Sequence, residues 1–434
     1  MDLVLLIIIF IIFFIIIISY TISKLDFVAI SLLGCFIAGT LTFARTGTTL
    51  DEFISFIEWP AIIIILSMSI VTKIAQDSNI LEVVAVKLFK LSKGNQRVFF
   101  WVLCLITTLL AAIISDVVVV LILAPIVIRL CHFLKIRAGT YLLGMTICIN
   151  IGSIITPFSS GENIIISSAF NLNTLYFIKY YWIFSFVLLF LTIFLLDRFI
   201  LKKEPKIEEI QKRFVMDLVD TDVMVKNKKM FYVNSIAIII IIILFGILPL
   251  LYLTAAISAL ILVLVNRNYT KKSMSDLLKD IEWEIIFFFI SLYVIVGSLV
   301  KAGFNEIFEQ IPFSTFSPLL LSFVILLLVS FISGVVANTP TALVFIPIIQ
   351  TLIDPLIHNF SPIPLLFAFI IGINLGGNLL PSGAAADMMT LKIARDSDVV
   401  NLDYKRLLKT GASFALFHIG LSIIFLLILV PIFG

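Results

Sequence analysis

Residues 147–166 read ICINIGSIITPFSSGENIII, and residues 371–390 read IGINLGGNLLPSGAAADMMT. Ile149-Asn150-Ile151-Gly152 aligns with Ile373-Asn374-Leu375-Gly376, Pro157 with Pro381 and Asn163 with Asp387, all at an offset of 224. Each copy begins as an apolar helix, breaks into Gly, Ser, Pro and amide residues, and turns apolar again. A break strips backbone N–H and C=O groups of their helical partners. At membrane depth that is tolerated only where protein or a water-filled cavity surrounds them. Two interrupted helices in corresponding places point to the binding site of a transporter.

The surrounding chain fits that setting. Of its 434 residues, 61% are hydrophobic and 13% charged, with a mean hydropathy of +1.21. Soluble proteins average about 25% charged residues, so the sequence describes an all-α polytopic membrane protein whose first partner is the lipid bilayer. The net charge of +3 is small and no basic run is interleaved with aromatics, which argues against nucleic acid. Cys35, Cys104, Cys131 and Cys148 lie in apolar stretches without metal-ligand spacing, and His132, His358 and His418 are scattered. Neither a resident cofactor, a metal cluster, a nucleophile–His pair nor a phosphate loop is indicated, so no enzyme is expected. Leu3 to Ile18 lacks a basic leader and a small-x-small cleavage site, and reads as a retained first span.

Apolar runs near the ~20 residues that cross a bilayer fall at about 3–19, 27–43, 59–76, 98–114, 140–156, 176–197, 231–248, 250–265, 284–300, 318–336, 362–380 and 411–433. Shorter pieces at about 117–130, 160–170 and 341–353 read as hairpin arms or half-helices. With the N-terminus outside, 27 of the 30 Lys and Arg residues fall in cytoplasmic segments, leaving Arg45, Lys179 and Lys301 outside. Cytoplasmic loops carry the Lys/Arg excess, so this orientation is expected. It requires 117–130 to re-enter from the inside and 341–353 from the outside.

The repetition extends beyond the breaks. Ile57-Glu58-Trp59 matches Ile281-Glu282-Trp283 at 224, and Ser115-Asp116 through Val127 matches Ala337-Asn338 through Ile349 at 222. By the charge count Trp59 faces outside and Trp283 inside, which makes the repeats inverted. The expected organisation is about 11–12 transmembrane helices, two re-entrant hairpins and two broken helices. They divide into a first repeat over 1–200, a charged cytoplasmic connector over 201–230 and a second repeat over 231–434.

Candidate ligand groups follow from polarity at depth. Asp116, beside Ser115 at the first hairpin tip, has no basic residue within a helical turn. An ionisable group there costs ~2.5–3.5 kcal/mol on insertion scales, so it pairs across helices, coordinates a cation or carries a proton. It also suits plain capping of the helix that follows. At the second tip Asn338, Thr339 and Thr341 offer oxygens to a hard cation such as Na⁺ (Asn338 and Thr339 above all), or cap the helix that Pro340 begins. The first break adds Gly152, Thr156, Ser159, Ser160, Glu162 and Asn163, and the second adds Gly376, Asn378, Ser382, Gly383 and Asp387. Asn150 and Asn374 read first as interhelical hydrogen bonders. Lys73, Arg129 and His418 read as snorkelling or packing side chains.

These residues carry a family likeness. The two Asn-Ile/Leu-Gly-Ser/Gly stretches, the breaks ending in Asn163 and Asp387, and the tips with a proline about ten residues on resemble the ion transporter superfamily. That group includes arsenite permeases, sodium–proton antiporters, the melanosomal P protein and citrate or dicarboxylate carriers. The likeness covers both halves except the connector. It implies inverted repeats, with substrate and coupling ion bound where tip meets break: Ser115 and Asp116 with the first break, Asn338 and Thr339 with the second. Asp116 stands where such proteins more often have Asn, and Ser160-Gly161-Glu162-Asn163 replaces an Asn-Pro-Pro-Asn-like turn. The resemblance further implies a homodimer and an H⁺- or Na⁺-coupled carrier of a small anion or arsenite-like solute. A sodium–proton antiporter and an uncoupled channel on the same fold are the alternatives.

Overall fold

The computed structural model describes residues 2–21, 25–80, 83, 87, 92, 95–205, 225, 227–248, 250–270, 272–281, 283–304, 306, 316–354 and 361–433. The connector expected at 201–230 lies outside these from 206 to 224 and at 226, as do Glu282, His358 and several of the basic residues counted above, Lys24, Lys90, Lys93 and Lys271 among them.

The described chain is all-helical. The first half holds α1 (Leu3–Thr21), α2 (Phe27–Thr46), α3 (Leu50–Ser55), α4 (Trp59–Asp77), α5 (Gln96–Ala111), α6 (Asp116–Phe133), α7 (Ala138–Gly152), α8 (Gly161–Ala169), α9 (Thr174–Tyr180) and α10 (Trp182–Phe199). The second holds α11 (Lys228–Ile247), α12 (Leu251–Thr270), α13 (Met274–Lys279), α14 (Trp283–Lys301), α15 (Pro318–Val336), α16 (Asn338–Leu352), α17 (Ile363–Gly376), α18 (Ala385–Asp396) and α19 (Tyr404–Phe433). Among the described residues nine helices are long and apolar enough to cross a membrane: α1, α2, α4, α10, α11, α12, α14, α15 and α19.

That is fewer than the eleven or twelve expected. The runs at 98–114, 140–156 and 362–380 become α5, α7 and α17, of 16, 15 and 14 residues. At 1.5 Å per residue such helices reach roughly 21–24 Å, short of the ~30 Å hydrocarbon core. Conversely, the piece at 117–130 is a longer helix, α6, of 18 residues.

The 224-residue offset returns in local chemistry. Thr49 caps α3 with Glu52 closing a capping box, and Ser273 caps α13 with Asp276 doing the same. Trp59 Nε1 donates to the Ile54 carbonyl, and Trp283 Nε1 to the Leu278 carbonyl. Packing repeats as well. The helix α5 lies on α7 as α15 lies on α17. Two pairings cross between halves: α2 packs on α14, and α12 on α4. Every residue of α7 and nearly all of α17 are buried. These helices are apolar all round because protein surrounds them.

Close approach explains one pair of glycines. A Cβ on Gly152 would meet the Thr108 carbonyl of α5, and one on Gly376 the Ser330 backbone of α15. Gly152 and Gly376 are therefore interhelical contacts, placed apart from the polar cavity described next.

Candidate functional site

Each tip and each break is built from a helix start. Four residues, 112–115, join α5 to α6, whereas Ala337 alone joins α15 to α16, at φ +90°. An L-residue held there stores backbone strain, of order 1–3 kcal/mol. The first break runs from Gly152 to Gly161. Two of its freed carbonyls are taken up locally: Ser159 Oγ and Asn163 Nδ2 each donate to Ser153 and Thr156, while Thr156 Oγ1 reaches across to donate to the Ala112 carbonyl on the tip. Ser160 Oγ caps α8 by accepting from the Asn163 N–H.

The four helix starts meet around one cavity of about 200 Å³. Its polar lining contains Ser115, Asp116, Ser159, Ser160, Glu162, Asn338 and Thr339, with Gly161 and Gly383 at the wall. Glu162, 6% exposed, accepts from Asn338 Nδ2 at 3.1 Å through Oε1 and from Thr339 Oγ1 at 3.4 Å through Oε2. Asn338 Oδ1 accepts from Ser333 Oγ at 2.7 Å. The second tip thus bonds to the first break, across the two halves, while Asn338 Oδ1 also faces Gly377 of the second break. Asn338 was expected with the second break and does lie against it at Gly377, while both Asn338 and Thr339 bond to Glu162 of the first. The packing makes this cross-over general, because α16 lies on α8 and α6 on α18.

Asp116 Oδ1 accepts from the Val117 N–H at 2.8 Å and from Ser115 Oγ at 3.4 Å; Asp116 is the first residue of α6, and the N-cap, Ser115, makes no side-chain capping bond. The carboxylate is within electrostatic reach of Glu162 and Asp387. Asp387, 1% exposed, sits behind the wall and accepts from Thr146 Oγ1 at 2.6 Å.

The remaining predicted residues do not line the cavity. Asn150 Nδ2 donates to Asn378 Oδ1 at 2.7 Å, and Asn374 Nδ2 to Asn163 Oδ1 at 2.9 Å, which clasps the two breaks together. Thr341 Oγ1 donates to the Ala337 carbonyl, and Ser382 is half-buried off the cavity wall. His418 is packed as expected, its Nε2 2.8 Å from Thr192 Oγ1. Lys73 is different. It lines the cavity at one end together with Gln76 and Asp280, and its Nζ lies 3.2 Å from Asp280 and 3.8 Å from Asp77. Lys272 completes that cluster, 2.8 Å from Asp77. A lysine near a span end reads as snorkelling. Only the fold brings the turn before α14 to it. Ser69 and Thr72 of α4, and Phe288 and Phe289 of α14, also line the cavity without having been singled out.

Comparison with known proteins agrees with this architecture. The chain is 25% identical over 402 residues to a 46 kDa membrane protein of Mycobacterium leprae, covering 91% of this chain and 92% of the relative. It is 24% identical over 375 residues to an uncharacterised transporter of Mycobacterium tuberculosis, covering 85% and 86%. A 120-residue stretch, 28% of the chain, is 30% identical to the P protein of Sus scrofa and covers 14% of it. Among solved structures, the YdaH transporter of Alcanivorax borkumensis superposes with a TM-score of 0.58 at 11% identity, covering 87% of this chain and 86% of that one. MtrF of Neisseria gonorrhoeae gives 0.60 at 12% identity, covering 89% and 84%. At such identities these two speak for the fold. Residues 8–372 match the citrate transporter family CitMHS, and the chain, a multi-pass membrane transporter, belongs to that family.

Proposed function

We propose that the protein is a secondary active transporter that moves a small carboxylate together with H⁺ or Na⁺, binding both in the cavity between the tips and the breaks. One observation carries this reading: four helix N-termini, at Asp116, Gly161, Asn338 and Ala385, converge there with Asp116, Glu162 and, behind the wall, Asp387. Each helix start contributes about half a positive charge, so the four supply roughly +2 against −3 from ionised acids. An anion is repelled from such a site until protons or a cation join it, and is held by the helix ends once they do. Binding of the two is then mutually favourable, which is the thermodynamic content of coupling.

In this reading Asp116 and Glu162 are the cation-receiving groups, with Thr339 Oγ1 and the Ser115 hydroxyl beside them. The charged Lys73 end is cytoplasmic, the N-terminus external, and the two halves inverted repeats whose α6 and α16 re-enter the membrane. Alternating access is supported by a second cavity toward the Lys301 end. Inorganic oxyanions or an arsenite-like solute fit the same charge argument. The homodimer is part of the proposal, and the mass of the detergent-solubilised protein checks it.

The test is accumulation of radiolabelled citrate in proteoliposomes under an imposed pH or sodium gradient. Accumulation that follows one gradient and collapses with it supports the proposal; citrate movement indifferent to both gradients overturns the coupling. A second reading, sodium–proton antiport, is favoured by one feature: the only basic side chain lining the cavity, among the described residues, is Lys73, already paired with Asp280. Sodium-driven proton movement with every anion silent would select it.

A further inference from the structure

The second cavity, about 240 Å³, lies between α14 and α16 and is lined in part by Phe56, Glu58, Tyr293, Gly297, Lys301 and Gln350. Position by position it is the counterpart, 224 residues away, of the central cavity's Lys73 end. Phe56 stands for Asp280, Tyr293 for Ser69 and Gly297 for Lys73. A Cβ on Gly297 would collide with the Phe56 ring, so that ring packs directly where the other end has an ion pair.

The charge in this cavity can be assigned. Lys301 Nζ lies 2.8 Å from Glu52 of α3, which neutralises it. What remains is Glu58. Its Oε2 accepts from Ser168 Oγ at 3.3 Å, and no basic side chain pairs with it among the described residues. Tyr293, 5% exposed, lines the same cavity, has a hydroxyl without a partner among the described residues and lies within electrostatic reach of Glu58. Gln350 contributes an amide from α16. A carboxylate, a phenol and an amide oxygen form a hard donor set suited to a small cation, and Glu58 repels an anion.

Ser168 also ties this group to the central site. It lies six residues along α8 from Glu162, about 9 Å along the axis at 1.5 Å per residue. The same half-helix therefore touches Glu58 at one end and carries Glu162 at the other.

We propose that the second cavity is a cation site at the opposite entrance, where Glu58 and Tyr293 take up a proton or a sodium ion. This rests on the cation-coupled reading above and on its orientation. The groups facing Glu58 are Ser168 from α8, Tyr293 and the Glu52-paired Lys301 from α14, and Gln350 from α16.

The experiment is transport in oriented proteoliposomes, with H⁺ and Na⁺ titrated separately on each side. Glu58→Gln raises the requirement for one of these cations on the Lys301 side about tenfold and leaves the Lys73-side requirement within about twofold; Glu58→Asp recovers most of the difference. Which cation responds identifies the ligand. Tyr293→Phe shifts the same requirement severalfold and carries the prediction if Glu58→Gln does not reach the membrane. Wild-type protein with no cation dependence on either side ends the coupled reading itself. Cation-dependent wild type with unchanged Glu58→Gln, or unchanged Tyr293→Phe where Glu58→Gln is not made, overturns this site alone.

Discussion

At one end of the molecule Lys73 of α4 meets Asp280, on the turn before α14, at 3.2 Å, with Lys272 and Asp77 alongside. At the other end the residues 224 positions away are Gly297 and Phe56, and a ring lies against a glycine. The helices are counterparts, yet one end closes by charge and the other by shape. Charged side chains at a water-facing mouth trade partners cheaply with solvent, whereas an aromatic ring seated on a glycine resists even one added methyl group. In the present conformation the central cavity runs to the charged end, as this difference predicts.

Four experiments break or sharpen that contrast. The largest effect is expected where both ends share a helix, at Glu162. Glu162→Gln removes a charge that accepts from Asn338 and Thr339, interactions worth about 1.5–3 kcal/mol each when charged. Losing the equivalent of one such interaction lowers the apparent cation affinity about 10- to 100-fold, read as the cation concentration that half-saturates transport. An unchanged value would remove Glu162 from the site. Next, Gly297→Ala drives a methyl into the Phe56 ring and should cost about 1–3 kcal/mol, visible as a lower melting temperature in detergent. Phe56→Ala in the same chain should recover most of it, and failure to do so would mean the ring is not what closes that end.

Lys73→Ala belongs third. Its partners are partly exposed, so the expected change in transport rate is severalfold at most, and a complete loss would show that Lys73 touches substrate. The smallest effect is expected from pH acting on the same cluster. The Lys73 hydrogen bond holds the Asp280 carboxyl below its ordinary value of 3.8, and the Asp77 hydrogen bond holds the Lys272 ammonium above 10.5. A depressed carboxylate contributes stability above its unfolded value and loses it as pH falls through the folded one. A raised ammonium contributes below its unfolded value and loses it as pH rises through the folded one. The contributions of Asp280 and Lys272 are therefore both present from about pH 4 to about pH 10.5, and transport profiles between about pH 5 and 9 should have the same shape in wild type and Lys73→Ala. A midpoint that moves in that window would tie the mouth to the titrating step.

The sequence makes the repeat legible because membrane spans are set by hydropathy, and because breaks need Gly, Ser and Pro wherever they occur. Asn163 and Asp387, and the two Trp residues that begin α4 and α14, could be aligned without coordinates. Alignment says which residues are equivalent and is silent on which ones meet. Asn338 was therefore expected on the second break, although its amide donates to Glu162 of the first. The glycines failed for a related reason. Gly152 and Gly376 admit a backbone, and in sequence that looks the same as admitting a ligand. Lys73 was missed because its partner Asp280 is about 200 residues away in the chain.

The crossed packing of α2 on α14 and of α4 on α12 bears on how the protein is made. The helix α2 packs on α1, where Gly34 lies against Ile12 and Ile16, and more extensively on α14, a helix that begins at Trp283. With synthesis at ~5–20 residues per second, the part of α2 that faces α14 waits roughly 10–50 s after leaving the ribosome before α14 exists to cover it. During that interval lipid or an insertion factor must shield a face built for protein. Neither half, inserted alone, can finish its own surface.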